Sequence, residues 1–230
     1  MILQLFTLFV LATVFAFSEE EGLEYAGVLT KHHTGKKDMQ QIVVKRDIPE
    51  ECDRQELLTN EMVWTGNYAH ANVPDKCKST FVHTTGHLQP MKLHPELETY
   101  GELETLRFIK EMQTRSDMLL IDSRKEKWYR YMTIPGAVNM PFHHFKYREQ
   151  YEFRFEQALR EMGVRILNEE GRYDFSHAKT ILLFCNGPWC SQSPKMIQSL
   201  LEAGYPPRKI KWYRGGMQSW VGAGMTSAGR

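Results

Sequence analysis

The sequence lacks an excess of charge of either sign. Among its 230 residues, 29 basic side chains are balanced by 28 acidic ones, and the formal net charge is +1. Domains that bind nucleic acid are usually distinctly basic, and attraction to an anionic membrane surface needs a similar excess. The charge balance therefore favours neither, and we expect no nucleic-acid partner for this chain.

Long hydrophobic runs are also missing, except at the N-terminus. Residues 2–17 are almost wholly apolar, and Ser18 is followed by three glutamates. Ala16 and Ser18 provide the small residues of a secretory cleavage site. The alternative is an uncleaved anchor, but a bilayer span usually needs about 20 apolar residues. We expect a signal peptide at residues 1–18, export to the periplasm or the medium, and no stable membrane association after cleavage.

Cysteine is scarce. The four cysteines all lie beyond the predicted signal, so export would bring them into an oxidising compartment. Four cysteines allow three pairings, between which a sequence does not choose. Grouping by neighbourhood predicts a disulfide between Cys52 and Cys77, with two free thiols as the alternative. The other two cysteines, Cys185 and Cys190, lie together in the C-terminal half.

Regular periodicity is absent before about residue 95. A short β-like run covers residues 41–44, and a turn signal follows it at residues 47–49. The remaining stretch is too broken for a large domain. We expect residues 19–96 to form a small, irregular extension or cap that packs on the next unit.

Strands and helices alternate over residues 97–230. Apolar positions at helical spacing predict helices at residues 100–112, 149–162 and 193–203. Apolar runs predict buried strands at residues 118–121 and 180–184, and a third strand is predicted at residues 209–213. This alternation predicts an α/β fold, an open parallel sheet with helices on both faces.

The loop that begins at Cys185 joins a predicted strand to a predicted helix, which is where open α/β sheets place their ligand sites. Backbone N–H groups of such a loop, with the following helix N-terminus, can form a nest for negative charge. We expect the nest to lower the pKa of Cys185 from the ~8.5 of a free cysteine. Gly187 and Pro188 suit the tight turn. The alternative is an inert, buried cysteine.

The C-terminal half resembles the rhodanese family over about residues 98–225. Residues 119–124 are similar to the family's strand that ends in Ile-Asp-x-Arg, and residues 134–141 are similar to its Ile-Pro-Gly-Ala-x-Asn-x-Pro motif. Cys185 stands where the family's catalytic cysteine opens its loop. Residues 215–220 resemble the closing Gly-Gly-x-x-x-Trp element. The four elements occur in the family's order.

The resemblance implies a sulfurtransferase. Cys185 would attack a sulfane sulfur donor such as thiosulfate and hold the sulfur as a persulfide, which a thiol or cyanide acceptor then takes. The substrate-binding loop would consist of Asn186, Gly187, Pro188, Trp189, Cys190 and Ser191. Asp122 and Arg124 would support the site by hydrogen bonding, although Asp122 is equally suited to capping the strand end. No metal or organic cofactor is required.

The loop departs from the family pattern in two ways. Its interior has no Arg or Lys, although Lys195 and Arg214 could bring positive charge from nearby elements, and it ends in a second cysteine. We expect Cys190 to modulate Cys185 through a disulfide, unless the two thiols point apart. Phosphatase activity is excluded, because a Cys-x5-Arg loop needs an arginine where Ser191 stands.

Two other function classes stay open. One is a thiol–disulfide redox protein that uses Cys185 and Cys190 as its pair. The other is a non-catalytic module that binds a protein partner or carries sulfur to it.

Overall fold

The computed structural model describes residues 27–33, 38–45, 47, 87–167 and 173–229. The predicted signal peptide at residues 1–18 and the predicted disulfide between Cys52 and Cys77 lie outside these residues. In the described part of the chain, none of the helices has the length and apolar character needed to cross a membrane.

The N-terminal part of the described chain is a β-hairpin. Strands β1 (Val28–His33) and β2 (Met39–Val44) pair antiparallel. The β-like run at residues 41–44 is thus confirmed as part of β2. A second strand, β1, which the sequence pattern did not reveal, pairs with β2 along its full length.

A five-stranded parallel sheet forms the centre of the domain. Its strands are β3 (Glu98–Tyr100), β4 (Met118–Asp122), β5 (Val138–Asn139), β8 (Thr180–Phe184) and β9 (Ile210–Tyr213). They lie in the order β3-β9-β8-β4-β5, and all neighbours run parallel. The predicted parallel α/β sheet is confirmed, with β8 as its central strand. A separate antiparallel pair is formed by β6 (Arg165–Ile166) and β7 (Tyr173–Asp174).

Six α-helices connect or flank these strands in the described chain. They are α1 (Glu102–Met112), α2 (Glu126–Tyr131), α3 (Phe142–Lys146), α4 (Glu152–Glu161), α5 (Gln192–Glu202) and α6 (Gly216–Gly222). A short 3-10 turn, Pro207–Lys209, leads into β9.

The start of α1 illustrates how local sequence sets an element boundary. The carboxylate of Glu104 accepts a hydrogen bond from the backbone N–H of Gly101 at 3.0 Å, which satisfies a donor at the helix start. Acidic side chains in the first turn and Lys110 in the last turn also suit the helix dipole. The inner face of the helix buries Leu106 and Ile109.

The two faces of the sheet are covered by different elements. Along β8, Ile181 and Leu183 face a core that α3, α4 and α5 cover, whereas Leu182 and Phe184 face a core that α1, α6 and the hairpin cover. Alternate side chains of a strand point to opposite faces, so a central strand that is covered on both sides is apolar throughout. The predicted arrangement of helices on both faces is confirmed.

The hairpin is fastened to the domain by packing and by hydrogen bonds. Val28 and Val44 are buried in the core beneath α1 and α6. The backbone N–H of Lys45 donates to Thr226 Oγ1 at 3.0 Å, and the backbone N–H of Thr226 donates to the Lys45 carbonyl at 2.7 Å. Gln113, just after α1, donates from its side-chain amide to Thr30 Oγ1 at 3.1 Å. The hairpin therefore forms part of the same packed body as the sheet.

Candidate functional site

Residues 185–191 form the loop between β8 and α5, at the carboxyl end of the central strand. The carboxyl end of the neighbouring strand β4 lies directly beside it, with Asp122 opposite Phe184. The backbone N–H of Ser123 donates to the Phe184 carbonyl at 3.1 Å. The fold therefore places the Ile-Asp-x-Arg motif, at the end of β4, beside the start of the cysteine loop, at the end of β8.

The start of α6 donates two backbone hydrogen bonds to the loop. The backbone N–H of Met217 donates to the Cys185 carbonyl at 2.9 Å, and that of Gln218 donates to the Asn186 carbonyl at 2.8 Å. Gly216 adopts a positive φ of 55°. A Cβ atom at Gly216 would overlap the Cys185 carbonyl oxygen and would lie 2.8 Å from the backbone nitrogen of Gly187. The closing glycine motif is therefore needed because the loop backbone approaches it closely.

A segment of the predicted extension lies against the other side of the loop. The backbone N–H of Gln89 donates to the Pro188 carbonyl at 2.8 Å. The carbonyl of Gln89 accepts hydrogen bonds from Arg214 Nε at 3.0 Å and Nη2 at 2.7 Å. Arg214 thus contacts the loop through Gln89, and its guanidinium is engaged by a backbone carbonyl. The indole Nε1 of Trp189 donates to Gln218 Oε1 at 2.6 Å, which ties the loop to α6.

The two loop cysteines are both buried and both free thiols. Cys185 Sγ lies 3.4 Å from the carbonyl oxygen of Cys190, to which its S–H can donate. The Cys185 thiol is therefore directed toward the residue with which the sequence predicts a disulfide, and that disulfide stays a prediction.

Cys190 Sγ accepts a hydrogen bond from the side-chain amide of Asn186, whose Nδ2 lies 3.8 Å away. The pKa of Cys190 is lowered to about 6, chiefly by hydrogen bonding from the Cys185 thiol and further by N–H groups of Asn186 and Gln192, while burial opposes the decrease. N–H donors favour the charged form of a thiol because they stabilise the thiolate.

Cys185 experiences the opposite effect. Complete burial at the end of β8 raises the pKa of Cys185 well above its ordinary value, because a desolvated thiolate is disfavoured. The hydroxyl and backbone N–H of Ser193 also contact this thiol, and they oppose the increase. The prediction that the nest lowers the pKa of Cys185 is wrong, because burial disfavours the thiolate.

A buried ion pair connects the end of β4 to the loop. Arg124 donates from Nη2 to Asp122 Oδ2 at 2.7 Å and from Nε to Asp122 Oδ1 at 3.0 Å, and their side chains are 3% and 0% exposed. Arg124 Nη1 reaches Asn186 Oδ1 at 3.3 Å. The structure thus brings both predicted supporting residues to the loop. Thr133 also donates to Asp122 Oδ2, at 2.8 Å.

Several residues that contact the site were not identified from the sequence. Ser123 donates its hydroxyl to the Phe184 carbonyl, and its Oγ lies 2.7 Å from Ser193 Oγ. Asn139 donates from Nδ2 to the carbonyls of Asp122 at 3.0 Å and Arg124 at 2.8 Å. The asparagine of the Ile-Pro-Gly-Ala-x-Asn-x-Pro motif therefore holds the end of β4 in place. Ser193 carries no signal of its own, since small polar residues are common in the first turn of a helix.

The sequence model of the rhodanese-like domain family matches residues 105–223, just over half of the chain. The chain belongs to the rhodanese-like domain family. This rhodanese-like domain begins within α1 and ends just after α6, so the match includes β4, the cysteine loop and the glycine of the closing motif.

Solved structures with similarity to the chain include proteins from several bacteria. A Bacillus halodurans protein is 16% identical with a TM-score of 0.39, over 68% of this chain and 87% of that one. A rhodanese from E. coli, described with anions, is 21% identical with a TM-score of 0.32, over 49% of this chain and 99% of that one. A thiosulfate sulfurtransferase from Pseudomonas aeruginosa is 22% identical with a TM-score of 0.36, over 57% of this chain and 20% of that one. Among curated proteins, none matches the chain.

Proposed function

We propose that this rhodanese-like domain is a sulfurtransferase that moves sulfane sulfur from a donor such as thiosulfate to a thiol or cyanide acceptor. The sulfur is carried as a cysteine persulfide on the loop after β8. The observation that carries the proposal is the pair of buried thiols, Cys185 and Cys190, on the loop at the carboxyl end of the central strand, where Asn186 Nδ2 lies 3.8 Å from Cys190 Sγ. Such donors stabilise a persulfide anion in the same way as a thiolate.

The chemistry requires one thiolate. That thiolate attacks the outer sulfur of the donor, and sulfite leaves with the electron pair of the broken S–S bond when the donor is thiosulfate. The acceptor then attacks the outer sulfur of the persulfide and restores the thiolate. The position of Cys185 after β8 supports it as the persulfide carrier, as predicted from the sequence.

A thiol–disulfide redox protein is the second candidate, and one observation favours it. Cys185 Sγ lies 3.4 Å from the carbonyl oxygen of Cys190, burial raises the pKa of Cys185, and hydrogen bonding from the Cys185 thiol lowers the pKa of Cys190. A thiolate beside a protonated, buried partner is the arrangement that disulfide exchange uses.

Thiocyanate formation from thiosulfate and cyanide tests the main proposal. The full chain should form thiocyanate, and mass spectrometry after thiosulfate alone should detect the addition of one sulfur atom or a loss of two thiol hydrogens. The matched control is Cys185→Ser with Cys190→Ser, which keeps Cys52 and Cys77. Wild type that forms no thiocyanate but reduces a protein disulfide would replace the proposal with the redox candidate.

Export and partners are proposals that rest on the sequence alone. We propose that residues 1–18 direct export, and that a small sulfur donor and a thiol acceptor, free or on a protein, are the partners. N-terminal sequencing of the mature protein tests the first point, because a chain that retains Met1 would contradict cleavage.

A further inference from the structure

We propose that Ser193 and Ser123 form a hydroxyl pair that stabilises negative charge on Cys185 Sγ during sulfur transfer. Ser193 donates its hydroxyl hydrogen to the charged sulfur, and Ser123 donates in turn to Ser193 Oγ. Ser193 is thereby a catalytic residue, because it touches the reacting sulfur, and Ser123 is a positioning residue that acts through it. The inference rests on the proposed function, in which Cys185 carries the sulfur, and it adds two residues that the sequence motifs do not assign.

Both hydroxyls are enclosed where β4 ends and α5 begins. Ser123 follows β4, Ser193 lies in the first turn of α5, and both residues are 0% exposed. Their Oγ atoms lie 2.7 Å apart, and Ser123 Oγ lies 2.7 Å from the carbonyl oxygen of Phe184, the residue before Cys185. Buried polar groups are almost always hydrogen-bonded, so this pair needs a hydrogen-bond arrangement in every state of the site.

The arrangement with a protonated Cys185 follows from the number of hydrogens. The Cys185 thiol donates toward the carbonyl oxygen of Cys190, 3.4 Å from its sulfur. Ser123 donates its hydroxyl hydrogen to the Phe184 carbonyl, so Ser193 is the donor between the two hydroxyls. A hydroxyl has one hydrogen, and in this state Ser193 has none for Cys185.

Loss of the Cys185 proton to solvent favours the opposite direction. Ser193 turns its hydrogen to the negative sulfur, and Ser123 turns its own hydrogen to Ser193 Oγ. The Phe184 carbonyl keeps a donor, because the backbone N–H of Ser123 also donates to it, at 3.1 Å. Hydrogen bonds to a charged group are stronger than those between neutral groups, so the rotation of the two hydroxyls is favourable. No covalent bond breaks in this rotation.

The electrostatics of Cys185 agree with this arrangement. Burial raises the pKa of Cys185, and hydrogen bonding from the side chain and the backbone of Ser193 opposes that increase. The first turn of a helix also carries partial positive charge, which favours an anion beside Ser193.

Both steps of sulfur transfer benefit from this donor. When the pKa of an attacking thiol lies above the ambient pH, lowering it by one unit increases the thiolate fraction about tenfold. The nucleophilicity of the thiolate falls only about threefold, since the Brønsted exponent is about 0.4–0.5. In the second step Cys185 Sγ is the leaving group, and a thiol of lower pKa leaves faster.

A structural role without any effect on charge is the alternative. The hydroxyl pair would then only join the end of β4 to the start of α5 and satisfy the Phe184 carbonyl. That role predicts lower stability when a hydroxyl is removed, but an unchanged pH dependence of Cys185 reactivity. The pH profile of Cys185 therefore distinguishes the two roles.

Alkylation of Cys185 in the full chain tests the inference. Initial rates with iodoacetamide are measured by peptide mapping between about pH 7 and 10, at low extents of labelling, so that modified Cys190 does not intervene. Ser193→Ala should slow the labelling of Cys185 about three- to tenfold wherever its thiolate is the minor form. Ser193→Thr keeps the hydroxyl and should restore most of the rate. Ser123→Ala should have a smaller effect, because Ser193 retains its hydrogen.

Ser199→Ala is the matched control. Ser199 lies farther along α5 and donates its hydroxyl to the Lys195 carbonyl at 3.0 Å, and its loss should leave the Cys185 profile unchanged. Denaturant unfolding of each variant establishes that folded proteins are compared. In the thiocyanate assay, Ser193→Ala should lower kcat and leave the KM for thiosulfate nearly unchanged, because the serine contacts the enzyme's sulfur and not the donor.

An unchanged Cys185 profile in Ser193→Ala, with or without a loss of stability, would overturn the inference and leave the sulfurtransferase proposal intact. Equal losses of rate in Ser193→Ala and Ser193→Thr would also overturn it, since the hydroxyl would then be unimportant. Absence of thiocyanate from wild type would instead remove the proposed function. The labelling profile, which needs no sulfur donor, would still decide whether Ser193 acts on the Cys185 thiolate.

Discussion

Arg124 Nη1 donates to Asn186 Oδ1 at 3.3 Å, and this contact determines which end of the Asn186 amide faces Cys190. Because the oxygen is turned to Arg124, the NH₂ group is turned to Cys190 Sγ, at 3.8 Å. Arg124 is itself held by the buried carboxylate of Asp122. The Asp122–Arg124 ion pair at the end of β4 thus orients the Asn186 amide that contacts the Cys190 thiol.

Replacing the amide by a carboxylate should therefore weaken the thiolate. In Asn186→Asp the side chain keeps its shape and its contact with Arg124, but it loses the N–H donor and places negative charge beside Cys190. We expect the pKa of Cys190 to rise by about one unit, which corresponds to ~1.4 kcal/mol, and alkylation to slow about tenfold at about pH 5, where the thiolate is the minor form. Asn186→Ala, which removes the donor without adding negative charge, should have a smaller effect. An unchanged rate in both variants would contradict this role.

The pH dependence of alkylation distinguishes the two thiols. The thiolate is the reactive form, so the rate at Cys190 should be half-maximal near its pKa of about 6, reach a plateau above it and fall as pH decreases below it. Cys185 should react much more slowly throughout, because burial raises the pKa of its thiol. Iodoacetamide labelling followed by peptide mapping gives both rates. Preferential labelling of Cys185 at neutral pH is the opposite result.

The hydrogen bond from Cys185 can be tested with two substitutions at one position. Its S–H is the largest contribution to the lowered pKa of Cys190. Cys185→Ala removes the donor and should move the alkylation profile of Cys190 to higher pH. Cys185→Ser keeps an O–H donor and should move it less. Equal shifts in the two variants would show that the donor is unimportant.

The buried ion pair should contribute strongly to stability. Asp122→Asn leaves the buried guanidinium of Arg124 without its counter-ion, which should lower the free energy of unfolding by about 3–5 kcal/mol. Asp117→Asn removes the partner of Arg115 in an exposed ion pair, and little change is expected there. Denaturant unfolding of the two variants measures the difference. Similar losses in both would argue against a special role for the buried pair.

Two glycines of one helix make a matched pair. Gly216→Ala places a methyl group against the loop backbone at positive φ, and it should cost at least ~1–2 kcal/mol and move the loop. A displacement of about 1 Å can reduce a rate about 100-fold, so thiocyanate formation should fall steeply. The Cβ of Gly222→Ala meets nothing within 4 Å, and stability and activity should be retained. Equal activities would mean that the loop tolerates the displacement.

The regular elements of the sheet were predictable because their apolar side chains repeat at fixed spacing. The apolar run at residues 180–184 coincides with β8, and the pattern at residues 100–112 contains α1. Strand β1 escaped prediction because two of its inward-facing side chains are polar. Thr30 and His32 are only 2% and 5% exposed, and they hide the alternation that marks a strand.

The location of the site was predictable from four motifs in order, but the roles of its thiols were not. Cys185 and Cys190 differ in depth and in the N–H groups that reach them. Both differences depend on how the loop folds back over its first residue, which brings Cys190 Sγ to the N–H groups of Asn186 and Gln192. The spacing of residues along the chain does not indicate how the loop folds back.

Gln89 is fixed on two sides, its N–H by the Pro188 carbonyl and its C=O by Arg214. Gln89 precedes residue 105, where the family match begins. The hairpin residues Val28 and Val44, which are buried in one of the two cores, also precede it. A chain that began at residue 105 would lose a contact that supports the Cys185 loop and two buried side chains of one core. The region that matches the family is therefore shorter than the packed domain of this protein.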